Sequence, residues 1–425
     1  MAEIKPFRAW RYNQKLAGGI DDLISPSFDE MSEKYRLALY DNPYNSIHLS
    51  VPVGKNPPQR AAGILADWKQ KNILLRDPVP GIYVYFQYFT LPGSRREYCR
   101  KGFICNLRVY DWDENVVLRH ENTNPGAVGY RVDLLAAMRL HVSPTHGLYT
   151  DRSFDLEHHM DQSMRQPIYE TEDYQGVRDV LSVIDDEEVI NLFIDKLEGK
   201  QIILADGHHR YEGSIAYMKQ QMADNPSHTG MEAYNYHLIY LTNTESDDIR
   251  ILPTHRLIKD LDGFDESAIM KKFEKNFFVK PLADVRDIDK VILGKKWTFG
   301  VLFKENAYRV RLKPEAFSKM SWDFPEEVKR LDLSVMHYFI IQDILGIHGK
   351  MQAESDCLEY NRSFAMCLKK VSNGEAQMAL ITRDIAIDEV TEVCCSGCTM
   401  PQKSTYFYPK VICGYVFGSI DEDET

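Results

Sequence analysis

Residues 201–216 read Gln-Ile-Ile-Leu-Ala-Asp-Gly-His-His-Arg-Tyr-Glu-Gly-Ser-Ile-Ala, and this stretch restricts the fold more tightly than any other. An apolar run of strand length, 201–205, passes into a polar loop, 206–210, and then into a helical pattern from Tyr211 to about Met222. A strand that feeds a helix through one short turn needs a sheet beside it and a helix layer over it. The chain is therefore expected in the α/β (α+β) class, with mixed sheets and packed helices. Gly207 permits a left-handed turn. The free N–H groups at the helix start form a ready anion site, and Arg210 can add a bidentate phosphate contact. The plainer alternative is a polar loop satisfied by its own backbone, with Asp206 as a turn residue. A metal site is the third option. Neighbouring histidines on an extended backbone point opposite ways, however, so phosphate is the stronger reading.

The rest of the chain divides around this unit. An N-terminal α/β region covers 1–150, with helices expected at 29–40 and 57–70. The run 81–89 should pair with 102–110 as a hairpin across the turn 92–96. A short strand at 116–118 then delivers His120 and Glu121. The polar segment 151–180 is read as a connector. A central region, 181–325, opens with a helix over 187–197, capped by Asp185 and stopped by Gly199. It continues with strands at 236–241, 297–304 and 307–312 and a helix near 266–273. A C-terminal α/β region covers 326–425, beginning with an amphipathic segment 331–345 that serves as core or dimer interface. Its His337 is expected at the surface or boundary.

Composition narrows the partners. Against 51 basic side chains stand 63 acidic ones, a net charge of -12. Duplex DNA is bound largely by neutralising phosphates, so this balance argues against a nucleic-acid partner. No run of about 18 apolar residues is present, which argues against a membrane span. The opening 1–7 carries no apolar signal core, and eight cysteines lack regular spacing. Both point to a reducing cytoplasm. Cys394, Cys395 and Cys398 contain one C-x-x-C, and Cys413 follows without a second pair. Ordinary thiols are therefore favoured over zinc or redox chemistry.

Two resemblances add to this reading. The strand followed by Asp206-Gly-His-His-Arg210 and a helix resembles the phosphate-binding box of the ParB/sulfiredoxin superfamily. That superfamily includes nucleotide-binding partition proteins, sulfiredoxins and free L-serine kinases. A wider set is similar to the domain of unknown function 1015 family of bacteria and archaea, loosely associated with serine biosynthesis. It comprises Pro6-Phe-Arg8, Tyr83-Val-Tyr85, His120-Glu-Asn-Thr123, Arg131, 205–212, Leu252-Pro-Thr-His-Arg256 and Met400-Pro-Gln-Lys-Ser-Thr-Tyr-Phe-Tyr-Pro-Lys410.

Taken together, the resemblances imply nucleotide-dependent phosphoryl transfer to a small hydroxyl metabolite, first of all from free L-serine to O-phosphoserine. ATP or ADP and Mg2+ would be the cofactors. Glu121, Asp206 and His209 would be catalytic, with Asp206 also a metal ligand. Gly207, His208, Arg210, Lys403, Ser404 and Thr405 would hold the nucleotide, and His120, His255 and Arg256 the acceptor. Each has a plainer alternative: His120 and Glu121 as a strand-end polar pair, Ser404 and Thr405 as the start of a strand, Arg256 as an internal salt-bridge partner. A nucleotide-sensing binding protein and a metal-dependent hydrolase built on the histidines and Glu121 are the competing functions. A homodimer stays open.

Overall fold

The computed structural model describes residues 1–27, 31–92, 94–348, 352, 355–401 and 403–424. Asp29 and Glu30 of the expected first helix, Gly93 of the hairpin turn and Gln402 lie outside them. The chain forms two compact units: Met1–Ile249 with Pro409–Thr425, and Arg250–Tyr408.

In the first unit the strands of the main sheet are β1 (Ile4–Lys5), β2 (Ile82–Thr90), β3 (Glu97–Arg108), β4 (Val117–Arg119), β5 (Thr145–Tyr149), β6 (Tyr169–Glu172), β7 (Arg178–Ile184), β8 (Ile202–Asp206) and β9 (Tyr236–Asn243). They lie in the order β4-β8-β5-β9-β3-β2-β7-β6, with β1 beside β3. The β4–β8 and β5–β9 pairs are parallel and the others antiparallel, so the sheet is mixed as expected. The hairpin is present, with Tyr83 opposite Ile104.

Alternation along β2 and β9 feeds two separate cores. Tyr83, Tyr85, Leu238 and Tyr240 face one, with Leu65 and Trp68 of helix α1 (Pro57–Gln70) and Leu134 and Met138 of α2 (Pro125–Met138). Ile82, Val84, Phe86, Ile239 and Leu241 face the other. Against them lie Met160 of α3 (Glu157–Ser163), Ile190 and Phe193 of α4 (Glu187–Leu197), and Tyr211 and Ile215 of α5 (His208–Asp224). A sheet covered on both faces needs apolar residues at odd and even positions alike, which is why β2 reads as a continuous run.

Three local expectations are corrected here. The cap of α4 is Asp186, whose side chain accepts from the Val189 N–H, not Asp185. The segment 151–180 carries α3, the edge strand β6 and the start of β7, and pairs into the sheet. Helix α5 begins at His208, three residues before the expected Tyr211.

The second unit holds a six-stranded sheet of β10 (His255–Ile258), β11 (Phe277–Pro281), β12 (Thr298–Leu302), β13 (Ala307–Leu312), β14 (Leu358–Asn361) and β15 (Met378–Ile381), in the order β11-β13-β12-β15-β10-β14. Every pair in it is antiparallel. The stretch expected to be amphipathic is an α-turn, Asp332–Val335, running into a π-helical stretch, Met336–Gln342. Buried residues occupy every position from Leu331 to Ile341, so that part is core on all sides, and only Gln342 and Asp343 reach solvent before Leu345. His337 is accordingly buried, and its Nδ1 pairs with Gln352 Oε1 at 2.8 Å. Among the described residues no helix is long and apolar enough to cross a membrane.

Helices α2 and α5 cross closely at Gly213, where an added Cβ would stand 2.8 Å from the Arg131 Cβ. Gly213→Ala is expected to force the helices apart and to cost about 1–3 kcal/mol in urea unfolding. Gly129→Ala, on α2 with nothing within 4 Å of the new methyl, should be neutral or slightly stabilising.

Candidate functional site

Strand β8 ends at Asp206, and Gly207 turns the chain with φ +92 directly into α5. A side chain here would meet strain and a clash, since a Cβ would lie 2.6 Å from Thr145 Cγ2. This one-residue turn is why His208, His209 and Arg210 occupy the first helical turn and not a loop. The Gly207 carbonyl accepts from the N–H groups of Arg210 and Tyr211, at 2.8 and 3.0 Å. The N–H groups ahead of those bonds have no helical carbonyl to reach.

Asp206 is the centre of the arrangement. Its Oδ1 accepts from Lys410 Nζ at 2.5 Å, and its Oδ2 from Arg210 Nη2 at 3.0 Å. Burial pushes the carboxyl up, but Lys410 and Arg210 outweigh it and hold the group well below the ordinary carboxylate range. The Nη1 of Arg210 continues to Ser143 Oγ and the Pro144 carbonyl, both at 2.8 Å. Lys410 is placed by its backbone, whose carbonyl accepts from Gln87 Nε2 at 3.0 Å. The buried Arg100 donates to the Gln87 Oε1 and to the Pro409 carbonyl next door.

The loop after β4 docks on the start of α5. Asn124 donates its N–H to His209 Nε2 at 3.0 Å, and Thr123 Oγ1 donates to Glu212 Oε2 at 2.7 Å. His120 is fully buried and meets His208 edge-on, with ring centres 4.7 Å apart. Burial lowers the His120 pKa to about 4. Burial, then the neighbouring His120, push His208 well below its usual value. Both rings are therefore neutral near pH 7. Burial also lowers His209, with Arg131 adding to the shift. Glu121 is half-buried on the same loop. The expected 120–123 and 206–212 motifs thus meet in one place, but His120 offers no exposed surface to an acceptor.

Magnesium does not fit Asp206 as it stands. Both carboxylate oxygens already face a cation, and a divalent ion would have to displace one against its repulsion. Among the described residues no group of three or more His, Cys, Asp or Glu side chains could hold a metal ion. Asp206 in this geometry organises Arg210 and Lys410.

The other expected site residues belong to the second unit. His255 and Arg256 lie buried on β10, and Thr382 donates its N–H to His255 Nδ1 at 3.4 Å. Arg256 donates to the Thr254 carbonyl, meets His337 Nε2 at 3.3 Å and lies over the Tyr360 ring at 5.1 Å. No carboxylate pairs with it among the described residues. Lys403 stands over the same ring at 4.8 Å. Ser404 is buried and donates to the Pro401 carbonyl, a turn-closing role in place of a phosphate contact. Thr405 follows it, half-buried. Cys394 and Cys395 close the helix Ile387–Cys395, buried and exposed respectively, and all eight cysteines are unbridged.

Sequence reasoning missed Lys410 and Arg131 as site residues, although both stand in the motifs quoted above. Lys410 pairs with a residue far along the chain and Arg131 with no carboxylate among the described residues, so no local spacing marks either. Arg131 lies on the face of α2 opposite Arg210, and the two guanidinium groups repel.

These features define a mixed α/β protein whose central strand–glycine–helix turn is organised by one carboxylate and two cations. The chain belongs to the DUF1015 family of proteins of unknown function, whose profile matches residues 4–334. No curated protein matches it. Among solved structures it is similar to a free serine kinase in complex with AMP, with a TM-score of 0.38 and 11% identity over 76% of this chain and 92% of that one. It is also similar to a conserved hypothetical protein from Pyrococcus furiosus, at 0.36 and 11% over 76% and 97%. A third is SbnI with a C-terminal truncation from Staphylococcus aureus, at 0.34 and 9% over 74% and 86%.

The buried neutral histidines make an acid-sensitivity prediction. His120 and His141 have folded pKa values of about 4, below the usual 6.5, so the unfolded chain binds more protons between those values. Stability must then fall as pH drops from about 6.5 towards 4, by roughly 3 kcal/mol for each ring. Urea unfolding across this window should show the loss, and His120→Gln should flatten the slope. A slope unchanged in the variant would contradict the assignment.

Proposed function

We propose that this protein is a nucleotide-dependent phosphotransferase acting on a small hydroxyl metabolite, with free L-serine as the first acceptor to test. The observation that supports the reading is the charge arrangement around Asp206. Arg210, in the first turn of α5, and Lys410 converge on this one side chain. Two cations share the one carboxylate of Asp206, within a chain of net charge -12. Such a place attracts a polyanion more strongly than the rest of the surface does.

In this reading Gly207 and the helix N–H groups approach the phosphates, and Arg210 supplies a planar fork to their oxygens. His208, buried and neutral, shapes the turn. Asp206 holds Arg210 and Lys410 in place before the ligand arrives, so that little reorganisation is needed at the moment of transfer. Glu121 and His209, on the docked loop and the first helical turn, are the proposed groups for orienting the acceptor hydroxyl and taking its proton. Magnesium would enter with the nucleotide, neutralising charge between its phosphates. The roles expected for His255, Arg256, Lys403, Ser404 and Thr405 are not part of this proposal.

The test is incubation of the protein with Mg2+, L-serine and either ATP or ADP, followed by mass spectrometry for O-phosphoserine. Product is expected from the wild type, with a loss of at least about 100-fold in Arg210→Met and a similar loss in Glu121→Gln. Nucleotide binding without product from serine or other small alcohols would favour the sensing function. No nucleotide binding at all would sink the proposal.

A further inference from the structure

Arg131 makes no hydrogen bond or ion pair with any described residue. It borders a solvent-open cleft in the first unit. Leu49, Leu134, Met138 and Val142 supply apolar walls, and no aspartate or glutamate lines the cleft. Two of the polar lining groups are neutral and engaged. His237 bonds Thr145 Oγ1 at 2.9 Å and Ser214 Oγ at 2.7 Å, and His141 Nε2 faces the Tyr236 carbonyl at 3.2 Å. Burial holds both imidazoles well below their usual pKa. Arg210, the other cation of the lining, is already bonded to Asp206, Ser143 and Pro144.

Of the two lining cations, Arg131 is thus the one with no paired carboxylate among the described residues, and it is set against apolar surface. Burial and the neighbouring Arg210 both press on that charge, and a counter-ion would relieve them. A guanidinium fork matches the planar, two-oxygen geometry of a carboxylate, and a single free charge matches a monoanion. The apolar walls require a ligand that has an apolar body behind its charged end. We propose that this cleft binds a small monocarboxylic acid with an apolar body, whose carboxylate is held by Arg131. The assignment does not depend on phosphoryl transfer, since no phosphate enters it.

Calorimetric titration with 3-methylbutanoate tests it, with 3-methylbutanamide, inorganic phosphate and L-serine as comparison probes and ATP titrated separately. The acid should bind the wild-type protein saturably, and the uncharged amide at least about 10-fold more weakly. Arg131→Met should weaken the acid by at least about 10-fold, with Arg131→Lys intermediate. The melting temperature of the ligand-free Arg131→Met protein should stay near that of the wild type, because the guanidinium it replaces has no hydrogen-bond or ion-pair partner among the described residues and lies 5.9 Å from the Tyr130 ring centre. Val142→Trp, which fills the cleft and leaves the charge in place, should abolish acid binding. Absence of saturable acid binding, or equal binding in Arg131→Met, would overturn the proposal. So would phosphate or serine binding as tightly as the acid in an Arg131-dependent way, since neither has an apolar body. Wild-type protein that binds the acid but not ATP would leave this site standing and remove the phosphotransferase reading.

Discussion

The carboxylate of Asp206 carries the arrangement of the first unit. Alone, an ionised carboxylate at the end of a buried strand would cost several kcal/mol in lost solvation. Lys410 and Arg210 offset that cost from opposite directions of the chain, one from the C-terminal segment and one from the first turn of α5. Each cation is fixed in turn. Arg210 reaches Ser143 and Pro144 and so sets the loop before β5, while the Lys410 backbone is tied to Gln87 and its neighbour Pro409 to Arg100. Removing one member would leave a desolvated charge behind, which is why this knot couples three distant parts of the sequence.

The two-faced burial of the sheet explains where polarity can survive inside it. Apolar side chains fill both cores along the middle of the strands. Among the polar groups admitted, His146 Nε2 meets Thr242 Oγ1 at 2.8 Å and Tyr85 donates to Asp179 at 2.5 Å. Burial drives these histidines to their neutral forms and lifts Asp179 to about 7. Near neutral pH the fixed positive charge around the turn thus comes from lysine and arginine, whose ionisation does not depend on small changes in pH.

The strongest local signals in the sequence were legible because one residue type settled each of them. The run at 201–205 and the hairpin of β2 and β3 follow from apolar length and turn chemistry. The start of α5 was misjudged because two histidines look like loop, whereas Gly207 completes the turn by itself. The strand β6 was hidden by its edge position. Tyr169 and Thr171 are buried while Glu170 and Glu172 are exposed, a pattern that reads as polar in a short window. The stretch 331–345 is amphipathic by its pattern, yet its residues 331–341 are all buried, since the core of the second unit encloses them, and only Gln342 and Asp343 reach solvent. Lys410 and Arg131 had no local signature at all. An ion pair 204 residues apart is a property of the fold, and an unpartnered arginine is visible only once its surroundings are known.

The family match ends at residue 334, yet Lys410 lies beyond it and completes the charge compensation of Asp206. The strand, the glycine turn, Arg131 and Arg210 all fall inside the matched span. Within that span alone Asp206 would keep one cation, and its carboxyl would rise from its depressed value because burial would be opposed by Arg210 only. The segment from Pro409 onward belongs to the first unit for the same reason: its backbone and its lysine satisfy polar groups that the sheet buries. The turn around Asp206 is therefore built jointly by the matched region and by the C-terminal segment beyond it, and Lys410 is the residue through which the two are joined.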